Sequence, residues 1–114
     1  MNRISRALCF VVTTLLWSLA SHAECSATGC YSVYVQQLVM TASNGFYIQT
    51  TGDETLANCT PSSGLFLSAP VSTSQLKELY ATLLTAQQAD RLVDIVINAG
   101  SNPCSVAYVN LARQ

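Results

Sequence analysis

Five apolar, strand-prone stretches with one amphipathic helix between the third and fourth predict a mainly β domain, a five-stranded OB-fold-like barrel. Three observations carry this. An Asn44-Gly45 pair joins two stretches rich in Val, Tyr and Ile, which is a strong hairpin signal. A Leu/Tyr stripe recurs at helical spacing over residues 76–84. Two alternating apolar stretches follow that helix and need partners, and barrel closure supplies them without leaving exposed edges. The rival arrangement is an open antiparallel sheet with the helix on one face.

Residues 31–41 mix Val, Tyr and Leu with Gln, a composition suited to a half-buried strand. The returning strand covers residues 46–51. Residues 52–64 form a polar loop containing Gly52-Asp53, Pro61 and Gly64. Residues 65–69 make a short third strand, stopped by Pro70. Ser72 and Gln75 then fit a capping box, with Val71 and Leu76 as its hydrophobic staple. Leu76, Leu79, Tyr80, Leu83 and Leu84 fall on one face, which predicts a helix over residues 73–89. No glycine ends it, and Asp90 is the residue best able to take the left-handed conformation there. Residues 92–98 are a strand with Val93, Ile95 and Ile97 on one face, and residues 106–112 a last strand with Val109 and Leu111 alternating against Tyr108 and Asn110.

The first 23 residues have the three parts of a secretory signal: Arg3 and Arg6, an apolar run over residues 7–20, and Ser21-His22-Ala23 as a small-residue exit. The run is shorter than the about 20 apolar residues a spanning helix needs, which argues against a retained anchor. Glu24 directly before Cys25 argues against lipidation. Cleavage after Ala23 leaves one domain, residues 24–114, in the periplasm of a bacterium or secreted from it. That domain keeps Lys77, Arg91 and Arg113 against six acids, a net charge of −3. The only His and the only Trp leave with the signal. Histidine-dependent triads and histidine-ligated metals are thereby excluded. The acidic balance disfavours nucleic acid and anionic membrane surfaces as partners. No cofactor is implied.

Four cysteines remain: Cys25, Cys30, Cys59 and Cys104. An even count in a small exported domain, whose core is marginal, reads as two disulfides, with three possible pairings. Cys25–Cys30 and Cys59–Cys104 are favoured, one closing a short Gly29-containing loop and the other a long one. Intervening spacings of four, 28 and 44 residues fit no zinc site. Four residues between Cys25 and Cys30, with no neighbouring cation, also fit no thioredoxin-like redox pair.

Residues 45–51, Cys59, Ser74-Gln75-Leu76-Lys77-Glu78-Leu79 and residues 93–97 together resemble small exported bacterial proteins of the B-subunit OB-fold type, with the B subunit of subtilase cytotoxin as the comparison. The resemblance spans residues 31–111. It implies a ring of five subunits that binds cell-surface glycans. No sugar-contacting residue transfers, because no motif matches position by position.

Two groups of side chains are candidates for chemistry. Asp53-Glu54, Asp90 and Asp94 offer carboxylates for glycoside hydrolysis, although adjacent loop acids are usually solvated surface. Tyr34, Tyr47 and Tyr108, beside Gln36, Gln49 and Asn110, fall on one sheet face in the predicted register and would make a sugar platform. Tyrosine also suits strands for packing reasons alone. The expectation is therefore a non-enzymatic binding module for a glycan or a protein surface, with a homo-oligomer possible. The alternative is a structural or accessory subunit of an exported assembly with no small-molecule site.

Overall fold

The computed structural model describes residues 24–111. The expected signal segment, residues 1–23, lies outside that range, as does Arg113. Strands β1 (Glu24–Ser26), β2 (Gly29–Val33), β3 (Val35–Met40) and β4 (Phe46–Thr50) come first, followed by a 3-10 turn (Glu54–Leu56) and β5 (Leu67–Ala69). Helix α1 (Leu76–Gln88) precedes β6 (Val93–Ile97) and β7 (Val106–Asn110). The strands form two antiparallel sheets, ordered β1-β2-β6-β7 and β3-β4-β5. The domain is thus mainly β with one helix between the third and fourth predicted strands. Among the described residues the strands number seven rather than five, and the sheets do not close through a continuous ladder.

The extra strands have local causes. The first predicted strand divides at Tyr34. Ser32 takes a left-handed φ of 52°, and the β2–β6 register shifts between Cys30 and Val33. The side chain of Asp94 accepts the Ser32 N–H at 2.8 Å and so holds this bulge. Val33 then pairs with Val93 in one sheet while Val35 pairs with Thr50 in the other. The chain crosses between sheets within three residues. Strand β1 adds a second hairpin, in which Cys25 lies directly opposite Cys30 and is disulfide-bonded to it. The Asn44-Gly45 hairpin forms with a five-residue loop, because Thr41 donates both its N–H and its hydroxyl to the Gly45 carbonyl. A side chain on Gly45 would come within 1.9 Å of the Ala69 carbonyl oxygen, and its φ is 82°.

The helix begins later than the capping box predicts. The Thr73 N–H bonds the Pro70 carbonyl at 2.9 Å in a turn, and residues 71–74 lie outside the helix. Gln75 becomes the N-cap, with no side-chain cap bond. At the other end, Arg91 N–H bonds Ala86 O and Asp90 N–H bonds Gln87 O, with Asp90 at φ 50°. That is a Schellman closure built on aspartate instead of glycine.

The core lies between the sheets. Phe46 and Ile48 of β4, Leu67 of β5, Val33, and Val93 and Ile95 of β6 are buried. Helix α1 covers one end with Leu83 and Ala86, and Tyr80 meets Phe46 edge-on at 5.3 Å between ring centroids. The predicted helical stripe is the face that packs. The Cys59–Cys104 bridge ties the 52–66 loop to the segment before β7. There Ser68 forms a parallel bridge with Ser105, and its N–H and hydroxyl both bond the Cys104 carbonyl, at 2.7 and 2.6 Å.

Candidate functional site

An open groove of about 270 Å³ runs between the first half of α1 and strand β7. Thr73, Ser74, Gln75, Glu78 and Thr82 line its helix side, and Ala107 and Tyr108 its strand side. Leu79, Val106 and Val109 complete it with apolar surface. Tyr108 is 59% exposed, while the flanking Val106 is buried. Residues two apart on a strand normally share a face; here the β6–β7 register shifts at this point, Val106 pairing with Ile97 and Tyr108 with Val96, so the extra residue Ala107 turns the two side chains to opposite faces. Thr82 donates its hydroxyl to the Glu78 carbonyl at 2.9 Å. The side chains of Ser74, Gln75 and Glu78, and the Tyr108 hydroxyl, have no hydrogen-bond partner among the described residues. The groove therefore offers unused donors and acceptors beside an exposed aromatic ring. A volume just below the about 300–1,000 Å³ usual for ligand sites suits a small polar ring.

The structure disperses the three predicted tyrosines. Tyr34 sits at the crossing between β2 and β3, where its N–H bonds the Thr51 hydroxyl and its carbonyl accepts from the Thr51 N–H, both at 3.0 Å. Tyr47 lies four residues before Thr51, about 13 Å along the strand direction. Its ring is half-buried and packs at a tilt against Phe66, 6.2 Å between centroids. Tyr108 lies on β7 in the other sheet, opposite Val96. No ring contact joins any two of the three among the described residues. Only Tyr108 stands in the groove. Of these groove residues, sequence reasoning placed Gln75 in the capping box and gave Ser74 and Glu78 no role at a site.

The four candidate carboxylates are also separated, and each has a structural bond or place. Glu54 is buried and accepts the Thr50 N–H at 2.6 Å and the Thr50 hydroxyl at 2.7 Å. Asp53 caps the 3-10 turn by accepting from the Thr55 hydroxyl and N–H. Those bonds hold its carboxyl below the usual carboxylate value, the hydroxyl contributing most. Asp94 holds the β2 bulge, and Asp90 closes the helix. Cys25–Cys30 and Cys59–Cys104 are both disulfides, and the first pair is buried. Among the described residues no group of three or more His, Cys, Asp or Glu could hold a metal, and no helix is long and apolar enough to cross a membrane.

Comparison with family models, curated proteins and solved structures finds no match to this chain. The groove must therefore be interpreted from its own chemistry.

Proposed function

We propose that this chain is an exported, non-enzymatic binding module on an OB-like barrel, and that its α1–β7 groove recognises a glycan. The observation that carries the reading is that the exposed Tyr108 lines the same groove as Ser74, Gln75 and Glu78, whose side chains have no hydrogen-bond partner among the described residues. Sugars present apolar C–H faces, which stack on aromatic rings, and a rim of hydroxyls that both donate and accept hydrogen bonds. Ser74, Gln75 and Glu78 supply complementary groups, and Tyr108 supplies the ring.

Strand connectivity supports the barrel. Pairing runs from β3 through β4 to β5, passes by the Ser68–Ser105 bridge to the start of β7, and continues through β6 to β2. Strand β2 then leads back into β3, so the path is cyclic. The structural duties of Asp53, Glu54, Asp90 and Asp94 favour binding over hydrolysis. The resemblance to exported B-subunit proteins points the same way.

The test is a glycan array probed with the exported protein and with Tyr108→Ala. The variant should lose at least about tenfold in affinity while its stability stays within about 0.5 kcal/mol, because the ring is exposed. Unchanged binding by Tyr108→Ala would move the site elsewhere. An array with no binding at all would remove the glycan reading.

A further inference from the structure

The charge of the groove bears on which sugars it takes. Among the described residues that line it, Glu78 is the only ionisable acid or base other than the Tyr108 phenol, and none is Lys or Arg. Lys77 is the neighbour of Glu78 in sequence, but successive helix residues project about 100° apart, and Lys77 does not line the groove. A carboxylate accepts hydrogen bonds well from sugar hydroxyls and has none to give to another carboxylate. One opposing influence is present. The first turn of α1 has backbone N–H groups without helical acceptors, which attract anions as about half a positive charge. Glu78 belongs to that same turn and carries a full negative charge, so the local balance stays negative.

We propose, resting on the glycan reading above, that the groove selects neutral sugars and rejects those bearing a carboxylate or sulfate. Glu78 is the selecting residue. It accepts from a hydroxyl pair of a neutral ring and repels an acidic substituent brought to the same place. Ser74 and Gln75 add donors beside it, and Tyr108 stacks on the ring without regard to charge.

The experiment uses an array of matched glycans, each neutral structure printed beside its sialylated, glucuronylated or sulfated form. The exported protein should bind the neutral members at least about fivefold more tightly than their acidic forms, the factor expected of like charges about 4 Å apart in a watery groove. Glu78→Gln should narrow that ratio while the thermal midpoint falls only slightly, since the helix N-terminus loses one favourable charge. So should 1 M salt on the unmodified protein, a readout that needs no variant to fold. Acidic members binding equally or more tightly would overturn the selectivity while leaving a Tyr108-dependent glycan site standing. A ratio unmoved by both Glu78→Gln and salt would overturn the role given to Glu78. Absence of binding to every glycan would remove both this inference and the reading beneath it.

Discussion

Around the Cys59–Cys104 bridge, polar side chains bond the protein itself. The Ser101 hydroxyl donates to Asn98 O at 2.6 Å and accepts from the Ser105 N–H, Asn98 donates to the Ser105 hydroxyl, and Ser68 bonds the Cys104 carbonyl. Along the α1–β7 groove, Ser74, Gln75 and Glu78 are equally polar and bond nothing among the described residues. The two regions have similar composition and opposite use. A loop without regular hydrogen-bonded ladders must satisfy its backbone with side chains. A helix and a strand satisfy their own backbones, so the side chains on them are free for a ligand. Of the groove residues, Glu78 and Tyr108 stand on the helix and a strand, while Ser74 and Gln75 precede the helix.

The sharpest way to break the comparison is to remove the bridge. Replacing Cys59 and Cys104 together by Ala should cost about 4 kcal/mol, because the bridge closes a long loop. The same exchange at Cys25 and Cys30 should cost about 2 kcal/mol, because their separation is only five residues and the β1–β2 pairing already aligns them. Urea titration of the three proteins should rank them in that order. Equal losses would mean that the loop end is held by its hydrogen bonds rather than by the bridge.

Glu54 comes next. Truncation to Ala leaves the Thr50 N–H and hydroxyl without an acceptor in a site where Thr50 is 2% and Glu54 3% exposed. The expected loss is about 3 kcal/mol, and Glu54→Gln, which keeps an acceptor oxygen, should lose about 1 kcal/mol. Thermal unfolding of both variants separates this from a groove effect, since glycan binding by the folded fraction should be unchanged.

These two regions were not equally legible in the sequence. The helix and the alternating strand expected over residues 92–98 follow from spacing and the structure has them, at 76–88 and 93–97, and of the three possible cysteine pairings it has the favoured one. Spacing records what each residue does within its own element. The split at Tyr34 is not of that kind: it depends on Asp94, 62 residues from Ser32, holding a bulge. The platform of Tyr34, Tyr47 and Tyr108 assumed one continuous sheet. The chain crossing at Tyr34 places Tyr108 in a different sheet from Tyr47, so strand parity alone could not bring them together. The late helix start is a third case. Ser72 and Gln75 satisfy the capping pattern, but the chain turns after Pro70 and the helix starts only at Leu76, with Gln75 as a cap that makes no side-chain bond.

The helix end allows a smaller test of the structural side. Asp90 holds a left-handed conformation at the helix C-terminus, where its negative charge also opposes the helix dipole. Asp90→Gly relieves both, offset in part by the freer unfolded chain, for a net gain of about 0.5 kcal/mol. Asp90→Asn relieves only the charge and should gain about 0.3 kcal/mol. Both belong to the framework, so glycan affinity should not move; a change in affinity would mean that α1 shifts against β7 when its far end is tightened.

The smallest expected effect lies at Asp53 and is visible only in its pH dependence. Its carboxyl is fully exposed and sits below the usual value because the Thr55 hydroxyl and N–H donate to it. A group with a lowered folded value binds its proton less readily than the unfolded chain does. Its contribution to stability is therefore present above the unfolded value, near about 3.9, and is lost as pH falls through the folded value. Asp53→Asn keeps an oxygen to cap the 3-10 turn and removes the titration. Urea midpoints of the two proteins should lie slightly apart at pH 6, with the variant lower, and converge as pH falls below about 4. Parallel curves across that range would show that Asp53 caps the turn through its geometry alone, with no part for its charge.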